Sequence, residues 1–300
     1  MTADHLADLN DELAEVPGTV SVWCGPVDDP IPAYARLEDE PHYAASTMKV
    51  AVLAALYRTA EAGGLDLDAE IPVRNEFVSA LDGAGTFGCD QGYDNDDEVW
   101  QRVDGTATPR WLARRMITRS SNLATNVLLA AVGLGAVADV WRVCAARTSV
   151  VGRGIEDYAA RDAGIDNLVT ARDLAALLGA LATGADPSTV GDGEPLAGPR
   201  SCREMLDVLA AQEHRDDLAA GLPDGTRIAH KNGWIDGVRH SAAIVYPTDA
   251  PQYTLVVCTT TPLADGSGDG AGGDPACRLL ARIAAASWAD RQNLGHGVTG

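Results

Sequence analysis

The 300-residue chain carries 43 acidic and 23 basic side chains, a formal charge of -20. An apolar content of 46% with 22% charged residues is that of a folded globular protein, not a disordered one. So acidic a surface repels phosphate backbones and anionic lipid, which excludes nucleic acid and membrane as expected partners. No apolar run reaches the 18 residues of a spanning helix.

The start of the chain is acidic and amphipathic, without the basic and apolar regions of a secretory signal, so a cytoplasmic location is expected. Six scattered cysteines (Cys24, Cys89, Cys144, Cys202, Cys258, Cys277) form no C-x-x-C pair and read as reduced, mostly buried thiols. No zinc-ligand spacing or H-E-x-x-H is present, so no metal and no cofactor is expected.

In chain order, Leu6 to Ala14 has helical spacing, and Gly18 to Cys24 and Ile31 to Leu37 read as short strands. A helix with apolar residues on nearly every face starts at Ser46 and stops at Gly63-Gly64. Residues 82 to 105 are rich in Gly, Asp and Asn and include the acidic run Asp94 to Glu98, expected to be a solvated loop, with adventitious calcium or a substrate-rim role as the alternatives. Helices follow over Thr108 to Ile117, Ser121 to Val132, Ala136 to Ala146, Thr170 to Leu181 and Arg200 to Gln212. Strand text returns at Arg227 to Lys231, Ser241 to Tyr246 and Tyr253 to Thr260, before a last helix over Pro275 to Ala289.

Strands at both ends around a helical middle predict an α+β fold, not an alternating βαβ chain. The expected form is one antiparallel five-stranded sheet flanked by terminal helices, built from 1–63 and 206–300, with 64–205 inserted as an all-helical lobe. The cleft between them is the expected site.

The 23 basic residues comprise 21 Arg and only two Lys, Lys49 and Lys231. Where a permanent cation suffices the chain uses Arg, whereas an amine is the cation whose pKa moves on burial. Lys49 follows Ser46 by three in Ser46-Thr47-Met48-Lys49, which puts both on one helix face. A serine there sits where helix N–H groups favour developing negative charge, and a lysine of lowered pKa could deprotonate it. Taken alone, the pair also reads as a capping serine and a snorkelling lysine. Ser120-Ser121-Asn122 and Lys231-Asn232-Gly233-Trp234 follow in order.

These three segments resemble the S-x-x-K, S-D-N and K-T-G boxes of the penicillin-recognising serine enzymes, class A β-lactamases and their relatives. The similarity runs from about residue 18 to 290 and extends to the actinobacterial serine hydrolase branch of that superfamily. It implies a β-lactamase/D,D-peptidase-like fold and a covalent acyl-enzyme formed from an amide, ester or β-lactam. The resemblance makes Ser46 the nucleophile, Lys49 its general base and Ser120 the proton relay to the leaving nitrogen. Asn122 would hold Lys49 and the substrate amide, and Lys231 would attract a substrate carboxylate and depress Lys49. The backbone N–H groups of Ser46 and Trp234 would form the oxyanion hole. Asn232, Gly233 and Trp234 would border the substrate, with Arg239 or His240 adding a carboxylate contact. The implied partner is thus a small molecule bearing a carboxylate.

The family's Glu-x-x-Leu-Asn segment is missing. Glu156 or Asp157 is left as the candidate to activate the second water, the alternative being that both are solvated loop acids. A non-hydrolytic acyltransferase and an acylable binding or sensor protein are the other functional readings. Gly268 to Gly273 matches G-x-G-x-x-G, but its acidic surroundings suit a connector, not a pyrophosphate site. G-x-S-x-G is absent, which argues against an α/β-hydrolase.

Overall fold

The computed structural model describes residues 4–186, 188, 194–267 and 273–294; all but the last residue of the Gly268 to Gly273 match lies outside them. An antiparallel sheet forms the framework, in the order Arg227–Tyr246, Tyr253–Asp265, Thr19–Pro26, Tyr34–Arg36. Val257 pairs with Val22 on one side and Ser241 on the other. The α+β class is as expected, and the sheet has its five strands because Arg227–Tyr246 folds back on itself. Arg227 to Lys231 and Ser241 to Tyr246, expected as separate strands, are the two arms of a hairpin within Arg227–Tyr246, whose ends meet with the Arg227 guanidinium 4.8 Å from the Tyr246 ring. The chain reverses between Asp236 and Val238, where the register against Tyr253–Asp265 also shifts and Gly237 takes a φ of +77° that side-chain-bearing residues resist.

The sheet's two faces build two cores, as period-2 alternation requires. Val20, Val22, Cys24, Ala243, Val245, Leu255 and Val257 pack with Leu279, Leu280 and Ile283 of the last helix, Pro275–Leu294. Their neighbours Trp23, Ala242, Ile244, Val256 and Cys258 face the helical body. There Lys49–Glu61 is buried from Lys49 through Tyr57, so its apolar residues on every face all find partners. Each fully buried Leu or Val contributes about 1.5–3 kcal/mol.

Helix starts follow their capping residues. The side chains of Thr108, Ser121 and Thr170 accept from Trp111 N, Ala124 N and Asp173 N, opening Pro109–Thr118, Asn122–Val132 and Ala171–Ala185. The lobe is not all-helical. Ile71–Pro72 pairs with Thr106–Ala107, Phe77–Val78 with Thr86–Phe87, and His42–Tyr43 joins Asn167–Val169 and Val150–Val151. These pairs are two or three residues long, too short for a periodic signal. All six cysteines are free and buried. Among the described residues no single helix is long and apolar enough to cross a membrane.

Candidate active site

Ser46 lies in a 3-10 turn, Ala45–Met48, that leads directly into the helix Lys49–Glu61. The sheet holds that turn in place. His240 Nε2 donates to Tyr43 O at 2.9 Å, while Thr259 N donates to His240 Nδ1 at 2.9 Å. The second bond leaves Nε2 as the protonated nitrogen. His42 sits edge-on to His240, 5.4 Å between centroids, with Ser21 and Thr260 hydroxyls at its two nitrogens. Burial first, and the neighbouring imidazole second, hold His42 down to about 3; burial holds His240 at about 4. Both rings therefore act as neutral braces.

Lys49, fully buried, donates to Ser120 O at 2.7 Å, Ser120 Oγ at 3.3 Å and Asn122 Oδ1 at 2.9 Å. Lys231, also fully buried, donates to the same Ser120 Oγ at 3.2 Å and to Asn232 O at 2.9 Å. One hydroxyl thus bridges the chain's two amines. Burial brings Lys49 down to about 7, although Asp94, Cys89 and Glu156 pull the other way. Lys231 is pushed well below the ordinary lysine range by burial and then by the Lys49 charge. Near neutral pH a large fraction of Lys49 is the free amine, which a proton acceptor has to be.

Among the described residues, three of the six non-glycine positions with left-handed backbone border this centre: Ala45 (φ 43°), Ser120 (φ 59°) and Glu156 (φ 68°). Such conformations persist only where the surroundings enforce them. Gly233 has a different reason: a Cβ there would lie 2.7 Å from Ser46 N. Only glycine lets the strand come this close to the nucleophile's N–H.

A cavity of about 660 Å³ opens over Ser46, lined also by Asn122, Glu156, Trp234, Tyr93 and Asp94. Among the described residues the Ser46 hydroxyl has no hydrogen-bond partner. Glu156 Oε2 accepts from Asp90 N at 2.8 Å, whereas Oε1 is buried without a partner. Burial raises the Glu156 carboxyl above its ordinary value.

The sequence profile of the β-lactamase enzyme family matches residues 5–289. The chain belongs to the β-lactamase enzyme family. No curated protein sequence matches it. Among solved structures, PBP-A is 21% identical, with 96% of this chain and 97% of that one covered, at a TM-score of 0.73. A β-lactamase from Sphaerobacter thermophilus is 23% identical over 96% of this chain and 97% of that one, at 0.72. An ancestral class A β-lactamase is 21% identical over 95% and 98%, at 0.74. At such identities the likeness establishes the fold.

Within this β-lactamase-family cleft, Ser46, Lys49, Ser120, Asn122, Lys231, Asn232, Gly233 and Trp234 converge as expected from their order. Four other expectations need correction. Neither candidate loop acid is simply solvated, and the two differ in kind. Asp157 is fully buried and accepts from Ser79 Oγ at 2.8 Å, Ala80 N at 2.7 Å and Ala160 N at 3.2 Å. It caps Tyr158–Asp162, is fully buried outside the cavity lining and is held by three protein donors, so it is a structural acceptor. Arg239 is fully buried, donating to Asp216 at 2.8 Å and Asp217 at 3.4 Å, so it is not free to meet a substrate. His240 is the neutral brace already described and does not line the cavity. The acidic run is only partly a solvated loop. Asp94 lines the cavity and accepts from Leu123 N at 2.8 Å, while Asp96 is buried against Arg115.

Asn126 was not singled out by the sequence. Its amide donates to Ile155 O and accepts from Ile155 N, both at 2.8 Å, which fixes the backbone beside Glu156. The available signal was its i+4 spacing from Asn122, which places both on one helix face. Tyr93 was missed as well; its carbonyl accepts from Asn122 Nδ2 at 3.1 Å.

Proposed function

We propose that the protein is a serine hydrolase that works through an acyl-enzyme on Ser46, opening an amide, ester or β-lactam of a small molecule. The observation that carries this reading is the shared Ser120 hydroxyl between two buried, depressed amines, one turn of helix from a cavity-lining serine. Lys49 leaves Ser120 O to take the Ser46 proton as Oγ attacks the carbonyl carbon. The oxyanion is received by the N–H groups of Ser46 and Trp234, which the Gly233 approach supports. The leaving nitrogen or oxygen takes its proton from Ser120 Oγ, replenished from the lysine pair. Glu156 Oε1, satisfied by no protein donor, is the acceptor for the water that frees the acyl group. A PBP-A mutant in the same fold is known as an acyl-enzyme complex with penicillin G, which makes a lactam a sensible first probe.

The test is adduct formation with a fluorescent penicillin, p-nitrophenyl acetate and a fluorophosphonate, read by intact mass and peptide mapping. A single adduct on Ser46, absent in Ser46→Ala, is expected. No adduct with any of the three at mildly alkaline pH contradicts the reading. Turnover that needs an added amine or alcohol would instead identify an acyltransferase, and one stoichiometric adduct without release an acylable sensor.

A further inference from the structure

Lys231 and Arg239 are the cations that a substrate carboxylate would seek, yet both are fully buried and neither lines the cavity. The Trp234 indole, which lines the cavity, lies against both. Its ring lies 5.1 Å from the Arg239 guanidinium carbon, 6.0 Å from Lys231 Nζ and 4.9 Å, centroid to centroid, from His214. The negative face of an indole attracts cations, so the ring meets the two cations with the kind of contact an anion would otherwise make. We propose that Trp234 is the specificity-determining residue of this cleft, closing the Lys231–Arg239 pocket so that the enzyme takes acyl donors with no carboxylate beside the scissile bond. This inference rests on the acyl-transfer reading of the same site.

Two further observations point the same way. Lys231 Nζ already has acceptors in Ser120 Oγ, Asn232 O and Asn232 Oδ1, and Arg239 is engaged by Asp216, Asp217 and Ser267 O. One donor, Arg239 Nε, is buried without a partner, a ready contact for an anion once the indole is gone. Second, the cavity wall carries four carboxylates, Asp94, Glu156, Asp236 and Asp265. Against them stand two arginines, Arg161 paired with Asp162 and Arg153 held by the carbonyls of Ile165 and Gly154, so negative charge outnumbers positive along the wall. The potential at the mouth therefore opposes an anionic donor. The rim residues Tyr93, Tyr158 and Ile235 are 71%, 49% and 46% exposed, a surface suited to an uncharged aromatic or aliphatic acyl group.

The decisive probe pair is benzylpenicillin and its methyl ester, identical but for the charge. In each, Ser46 Oγ forms an ester as the lactam C–N bond opens and its proton passes to the lactam nitrogen, so the whole reagent mass is added. For the wild-type protein the methyl ester should acylate Ser46 faster, by about tenfold, the factor that corresponds to 1.4 kcal/mol. Trp234→Ala should shift the acid-to-ester rate ratio by about tenfold or more toward the acid. Trp234→Thr, whose branched side chain suits a strand, should do the same, and Trp234→Phe should keep the wild-type order. Calorimetric titration of the three variants with phenylacetate and phenylacetamide reads the pocket without chemistry. Anion binding should appear with Ala and Thr and be absent with Phe and wild type. If no lactam adduct forms, the acyl-transfer reading fails and this titration alone decides the inference. A wild-type preference for the free acid overturns the inference. So does an unchanged ratio in both opened variants or, where no adduct forms, no gain of phenylacetate binding.

Discussion

The cleft floor and the outer shell use their cations in opposite ways. On the outside, Arg110 binds Asp68 and Glu204, Arg172 binds Glu38 and Asp39, and Arg291 binds Asp249 through two bonds of 2.9 and 2.6 Å. Each of these guanidiniums is pushed above its ordinary value, first by its hydrogen-bonded carboxylate. On the floor, Lys49 and Lys231 have no carboxylate within ion-pair distance among the described residues, share one neutral hydroxyl, and are pushed down by burial. A paired guanidinium stays charged and holds structure, whereas an unpaired buried amine gives up its proton more readily and becomes available for chemistry. The scarcity of lysine therefore reflects what each cation is for.

The sharpest way to break this contrast is to exchange the cations. Lys49→Arg keeps the charge but removes the proton acceptor, and Ser46 acylation by p-nitrophenyl acetate should fall by about 10³-fold. A loss below tenfold would show that charge, not basicity, is what the floor supplies. The neighbouring carboxylates divide in the same manner. Glu156→Gln should leave acylation largely intact but slow release by about 10²-fold, so that the acyl-enzyme accumulates in the mass spectrum. Asp157→Ala should instead act on the fold, at a cost of about 2–4 kcal/mol in denaturant unfolding, because three buried donors lose their acceptor.

The histidine brace sets a pH limit. His240 titrates near 4 and His42 near 3 in the folded protein, against about 6.5 unfolded. Between those values the unfolded chain binds protons that the folded one refuses, so stability falls as pH drops from 6.5 toward 4. His240 alone contributes roughly 3 kcal/mol of that loss. Urea midpoints at pH 7 and 4.5 test it, and equal values would contradict the neutral brace. The smallest effect belongs to the shell. Arg291→Lys should move the melting temperature by no more than about 2 °C, and a larger change would show that the shell arginines do more than pair.

Much of this arrangement is local, and local features were legible. Ser46 and Lys49 are one helical turn apart, the caps at Thr108, Ser121 and Thr170 precede their helices, and the burial of Lys49–Glu61 follows from its lack of a polar face. What was illegible depends on partners distant in the chain. Asp157 is defined by Ser79 and Ala80, some 77 residues away. Arg239 could have faced a substrate until the register of its strand placed it against Asp216 and Asp217. Asn126 matters through Ile155, 29 residues on.

The central claim, that burial makes Lys49 the base for Ser46, is tested most directly by the pH dependence of Ser46 acylation with p-nitrophenyl acetate in stopped flow. The base must be unprotonated, so the rate should rise with pH along a single titration centred near 7, the value that burial gives Lys49, and this limb should vanish in Lys49→Arg. A rate that climbs only with hydroxide up to the ordinary lysine range, or a limb near 7 that survives in Lys49→Arg, would contradict it.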